Sequence, residues 1–217
     1  MKASQNRRLV ILMYPHVREM DVASVNDIFA TANTFLPENR RYHISYLSTV
    51  AASELDGMYG MGLRTGPLYS TFRGEIDTLI IPGGIGNELT EPPGKLLKWM
   101  RKQSGTARRV GSICTGAWLL AQAGLLDGKR ATTHWKWAHL LARDFPKVTV
   151  DPDPIWVKDG NIYTSAGATS GIDLSLALLE EDHGRAVALE VARQLVVFLC
   201  RPGNQAQFSV ALQEQKT

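Results

Sequence analysis

Cys114 stands in the run Val110-Gly111-Ser112-Ile113-Cys114-Thr115-Gly116-Ala117-Trp118, where a strand-like pattern gives way to a helical one. A nucleophile on such a turn needs small neighbours, here Gly111 and Gly116, because its backbone is forced into a strained conformation. A helix starting just after it aims free N–H groups at the sulfur, which is expected to lower the thiol pKa and favour thiolate. Inert packing is the competing reading, since free cysteine is among the most buried residue types. Gly83-Gly84-Ile85-Gly86 closes a strand and can present backbone N–H groups to an anion, or be a plain turn. The run is no dinucleotide fingerprint, because position 89 is Leu. Asp21, just past the first strand, can take a proton from the thiol or hold a substrate water; a first-turn helix acid is the alternative. His134, after Ala131-Thr132-Thr133, would activate a thiolate as a Cys–His pair or be a structural histidine. His16, His43, His139 and His183 lack such a setting. No Cys or His pair has ligand spacing, so no metal and no other cofactor is expected.

Positioning these residues falls to alternating short apolar and longer amphipathic segments. Leu9–Met13, Tyr42–Ser48, Thr78–Ile81 and Arg109–Ser112 read as strands, the first buried on both faces. Helices are expected over Asp21–Asn33, Leu96–Gln103 and Trp135–Phe145, and from Cys114 to a stop at Gly124. Gly57–Pro67 reads as an irregular hairpin or loop, and Ala131–Thr133 as a brief strand. Asp159-Gly160 joins Ile155–Lys158 to Asn161–Ser165 as a hairpin. Helices over Ile172–Glu181 and Arg185–Leu199 complete the order, with Cys200 packed near the end of the last. This βαβ alternation predicts an α/β fold with a mainly parallel sheet. Ligands in such sheets bind beyond the carboxyl ends of strands, so Asp21, Gly84 and Cys114 should share one edge.

A chain of 217 residues, 44% hydrophobic and 21% charged, suits one globular domain and excludes disordered, collagen-like and disulfide-scaffold classes. Its net charge of +3 comes from scattered doublets such as Arg7-Arg8 and Arg108-Arg109, a solvated surface and no nucleic-acid stripe. Only 2 cysteines suit a reducing compartment. A polar start, a short first apolar run and no membrane-length segment predict a cytoplasmic protein with no membrane partner.

Taken together, Ile80-Ile81-Pro82-Gly83-Gly84, Gly111-Ser112-Ile113-Cys114-Thr115-Gly116-Ala117 and Ala131-Thr132-Thr133-His134-Trp135 resemble the ThiJ/PfpI superfamily, also called class I glutamine amidotransferase-like. Tyr163-Thr164-Ser165-Ala166-Gly167, Gly171-Ile172-Asp173-Leu174 and Phe198-Leu199-Cys200-Arg201-Pro202-Gly203 are similar to the N-terminal domain of GlxA-like AraC/XylS-type transcription regulators. The resemblance implies a flavodoxin-like three-layer sandwich with Cys114 on a nucleophile elbow. It implies that Asp21 hydrogen-bonds the cysteine and that the backbones of Gly84 and Thr115 form an oxyanion-type pocket. His134 matches the histidine of the family's T-T-H segment, and a homodimer is expected. Ile85, Gly116, Trp118 and Trp135 join Gly84 and Thr115 as candidate ligand-binding positions, with Cys114, Asp21 and His134 as the candidate catalytic set. Thr115 replaces the histidine that follows the cysteine in protease-like members, so peptidase activity is not expected. Met20-Asp21-Val22-Ala23-Ser24-Val25 lacks the Gly-Pro pair common in the regulators' acidic motif.

Two functions follow. One is a sensing domain, 1–203, that binds an unknown small molecule for a transcription regulator, with 204–217 as a polar stub or linker start. DNA would then be bound only through a helix-turn-helix domain absent from this chain. The other is a cysteine-dependent small-molecule enzyme of the isonitrile hydratase, amidase or glyoxalase-like kind. A weaker third reading is a redox sensor in which Cys114 is oxidised to sulfinate.

Overall fold

The computed structural model describes residues 7–85, 91–201, 204 and 205; Gly86 and the rest of the C-terminal segment lie outside them. Leu9, Val10, Ile11 and Leu12 are fully buried. A run apolar on both faces can only be an interior strand, and it forms β1 (Arg7–Met13), parallel to β2 (Tyr42–Ser48) and β5 (Thr78–Ile81). The hairpin β3 (Glu54–Asp56) and β4 (Gly62–Arg64) occupies the stretch read as irregular. Beyond β5 come β6 (Arg109–Ile113), β10 (Ile162–Ser165) and β9 (Trp156–Asp159), giving the order β2-β1-β5-β6-β10-β9, with only the β9–β10 pair antiparallel. Gly160, at φ +63°, turns that hairpin as Asp-Gly predicts. The remaining pair, β7 (Arg130–Ala131) and β8 (Thr149–Val150), is short.

The sheet grows from β1 to β2 in one direction and from β5 to β6 in the other. Right-handed crossovers therefore place α1 (Glu19–Phe35) on one face and α2 (Gly94–Ser104) on the opposite one, the flavodoxin-like three-layer sandwich. In α1, Val22, Val25, Ile28, Phe29 and Ala32 recur at helical spacing and are buried. After α3 (Ala117–Gln122) and α4 (Trp135–Asp144) come α5 (Ser170–His183) and α6 (Arg185–Gln194), which pack on α1.

Helix α6 stops five residues before the expected Leu199. Val196 adopts φ 55°, and Val197 N–H reaches back to Ala192 O while Val196 N–H bonds Arg193 O, closing the helix end. Apolar residues beyond that point suggested continuation, yet Val196 and Phe198 are exposed. Cys200 is likewise exposed rather than packed, because it lies past the helix end. No described helix is long and apolar enough to cross a membrane.

Candidate functional site at the strand ends

Residues following β1, β5 and β6 meet at the carboxyl edge of the sheet. Cys114 follows β6 directly, with φ 53°, a region that costs a non-glycine residue roughly 1–2 kcal/mol. What holds it there is the packing of the turn. A Cβ on Gly116 would lie 2.2 Å from Ile81 O, so only glycine lets the turn press on the end of β5. Thr133 Oγ1 donates to Cys114 O at 2.7 Å and fixes the elbow from the other side.

The β5 end is laid against the loop that enters α1. Arg18 N–H donates to Gly83 O at 2.8 Å, and Ile85 N–H donates to His16 O at 3.2 Å. Tyr14 O–H closes the same contact on Pro82 O at 2.7 Å. Asp21, in the first turn of α1, is completely buried and accepts the Gly83 N–H at 2.8 Å through Oδ2. A Cβ at Gly83 would lie 2.9 Å from Asp21 Oδ2, from Cys114 Cβ and from Thr115 Oγ1 alike. The three side chains thus surround one bare backbone position, which is why glycine stands there. Glu19, two residues before Asp21, instead accepts the Tyr59 and Met61 amides and pins the β3–β4 turn.

Burial governs the acid–base state. It pushes the Asp21 carboxyl up to about 7, against the opposing Gly83 amide and Arg18 charge. Burial, and then the Asp21 charge, push the Cys114 thiol up to about 12, although the Thr115 amide and Arg18 favour thiolate. This reverses the lowered thiol pKa expected from the sequence. The sulfur-bearing residue is only 5% exposed, and the helix behind it is a 3-10 turn followed by six α-helical residues. Loss of water outweighs so short a dipole. At neutral pH the cysteine is a thiol beside a carboxyl near its midpoint.

The expected oxyanion donors are partly spent. Thr115 Oγ1 accepts Gly84 N–H and donates to Gly84 O, both at 3.0 Å. The Gly84 amide is therefore satisfied within the protein, as is that of Gly83, and the Thr115 amide faces the sulfur. His134 caps α4, its Nδ1 accepting Lys136 N–H at 3.3 Å. Burial lowers its pKa, so it is neutral at pH 7, and it makes no hydrogen bond to Cys114 or Asp21. Trp135 is half exposed beside the His134 ring, Ile85 is exposed, and Trp118 packs on the core.

Two residues enter that motif reading passed over. Arg18 lies 3.9 Å from Asp21 Oδ1 through Nε, and its charge acts on Asp21, Cys114 and His134. A lone basic residue three positions before an acid is the only sequence signal it carries. Gln205, past the expected domain end, is buried; its Nε2 donates to Thr132 Oγ1, Thr133 O and Pro154 O, and its Oε1 accepts Trp135 N–H. A cavity of about 660 Å³ between α1 and the β3–β4 hairpin takes Arg18, Met20, Tyr59 and Met61 into its wall; its walls do not include Cys114.

An isonitrile hydratase of Pseudomonas putida is 35% identical over 188 residues, covering 85% of this chain and 75% of that protein. The HTH-type transcriptional regulator CdhR of Pseudomonas aeruginosa is 33% identical over 197 residues, 90% of this chain but only 56% of the regulator. A crystal structure of a ThiJ/PfpI family protein from Pseudomonas syringae superposes with a TM-score of 0.78 at 22% identity, covering 97% of this chain and 86% of that one, which speaks to fold alone. The DJ-1/PfpI family model matches residues 7–181, through the elbow and the buried acid, and the chain belongs to that family.

Proposed function

We propose that this domain binds a small molecule at the Cys114–Asp21 site and serves as the sensing part of a transcription regulator. The observation that carries the reading is the resting state of the site. Cys114 is a buried thiol, and the amides of Gly83 and Gly84 are already bonded to Asp21 and Thr115. A site built for acyl transfer keeps preorganised donors free for developing negative charge; a binding site need not. The likeness to CdhR, which extends over 90% of this chain, supports the same direction. Cys114, Asp21, Thr115 and the neighbouring His134 and Trp135 would form the receiving surface.

A second reading is favoured by the 35% identity to an isonitrile hydratase. There the Cys114 sulfur would bond to the isonitrile carbon as Asp21, near its midpoint at neutral pH, gives that carbon a proton and the thiol proton replaces it. Water activated by Asp21 then adds to the thioimidate carbon and the C–S bond breaks, returning the thiol and releasing an N-substituted formamide. The two readings separate in one experiment. The protein is screened by thermal shift against a metabolite panel and, in parallel, incubated with cyclohexyl isocyanide while formamide is followed by mass spectrometry. Saturable stabilisation that Cys114→Ser or Asp21→Asn weakens, with no formamide, is the expected result. Formamide production that is lost in Cys114→Ser would replace sensing by catalysis.

A further inference from the structure

Arg18 anchors its loop with its backbone, not its side chain. The guanidinium lies over the Tyr59 ring at 5.5 Å, and the side chain is 29% exposed. Its Nε is buried with no hydrogen-bond partner, and so is Asp21 Oδ1, 3.9 Å away. That separation is an ion-pair distance, too long for a hydrogen bond. Leaving two buried polar atoms unsatisfied across one gap is costly, and native interiors rarely do it without a purpose. The neighbouring carboxylate, Glu19, is committed to the Tyr59 and Met61 amides. Asp21 holds its proton below neutral pH, so it compensates the Arg18 charge only in part.

We propose that Arg18 is the ligand-recognition residue of this site, its Nε and the facing Asp21 Oδ1 receiving a carboxylate or similar oxyanion on a small molecule. The inference rests on the sensing reading and adds the chemical class of what is sensed. A guanidinium fork offers two parallel donors that match a carboxylate, and a protonated Asp21 can donate to the same group. The Arg18 charge acts on Cys114 and His134 as well as on Asp21, so an anion held there would offset it at all three. The rest of the molecule would extend over Met20, Tyr59 and Met61 in the cavity that begins at Arg18. Arg18 and Arg64 disfavour a cationic group in that cavity, whose one lining carboxylate, Glu19, is committed to the Tyr59 and Met61 amides. A neutral group would leave the buried Nε without an anionic hydrogen-bond acceptor.

Propionate and propionamide, alike in shape and different by one charge, test this in an amide NMR titration followed at Gly83 and Thr115. Propionate is expected to give saturable shifts, and propionamide to bind at least roughly tenfold more weakly. Arg18→Gln should lose propionate binding by a similar factor, whereas Arg18→Lys keeps the charge without the fork and loses less. The Arg18 side chain makes no hydrogen bond, so both variants should fold; should Arg18→Gln fail to, the Lys variant carries the comparison. Equal affinity for the two probes, an unchanged Arg18→Gln, or no propionate binding overturns the proposal. If a neutral or cationic molecule from the panel then binds in an Asp21-dependent way, sensing stands and only the anion class falls. If nothing binds, both fall.

Discussion

Asp21 is buried at the expense of stability. Its carboxyl is pushed up to about 7 by burial, from an ordinary 3.8, so the folded state holds the proton more tightly than the unfolded chain. Between pH 4 and pH 7 the native protein therefore binds more protons, and stability falls as pH rises through that window. The penalty above pH 7 is on the order of 4 kcal/mol as an upper bound. Asp21→Asn keeps an acceptor for Gly83 N–H and removes the titration. Urea unfolding should find it near wild type at pH 4 and clearly more stable at pH 8; a difference that does not change with pH would show that Asp21 is ionised throughout. A buried, half-satisfied acid retained at such a cost is characteristic of sites selected for chemistry or binding.

At the scale of elements, a strand end, a turn and a helix start are tied together through side chains. Thr133 holds the elbow carbonyl of Cys114, and Gln205 in turn holds Thr132, Thr133 and the start of α4. Gln205→Ala would take the acceptor from the part-buried Trp135 N–H and the Nε2 donor from the buried Thr132 hydroxyl, a loss of about 1–3 kcal/mol. The measurement is a lowered melting temperature with faster amide exchange over residues 132–136; exchange unchanged there would sever this link between the C-terminal segment and the elbow. The strand-to-helix change at Cys114 was legible from its flanking glycines, and so was the Asp159-Gly160 hairpin. The end of α6 was not, because Val196 in a left-handed conformation has no sequence marker of the kind that Gly124, at φ +70°, provides.

Across the whole molecule, the edge of the sheet opposite Cys114 carries the principal buried charge. Asp182 accepts from Tyr42, Arg108 and Arg109 and pairs with Arg7, its side chain 1% exposed. Burial alone would raise its carboxyl, but these partners hold it at about 2. A lowered acid contributes stability above its ordinary 3.8 and loses it as pH falls through about 2. Asp182→Asn should cost about 3–5 kcal/mol at pH 7, because it strands buried guanidinium charge. That deficit should shrink by roughly 1 kcal/mol near pH 3 in denaturant titrations; a deficit constant with pH would place the loss in packing instead.

The sequence by itself determined the layered α/β order and the edge on which Asp21, Gly84 and Cys114 gather. Apolar period and glycine placement are local properties, and the strand-end rule follows from topology. The tertiary structure decided what those residues are as chemical groups. Burial and proximity across the chain turned an expected thiolate into a thiol, occupied the Gly84 amide with the Thr115 hydroxyl, brought Arg18 to Asp21 and seated Gln205 against the segment that supports the elbow. Protonation and pairing depend on which distant residues exclude water, and no spacing along the chain encodes that.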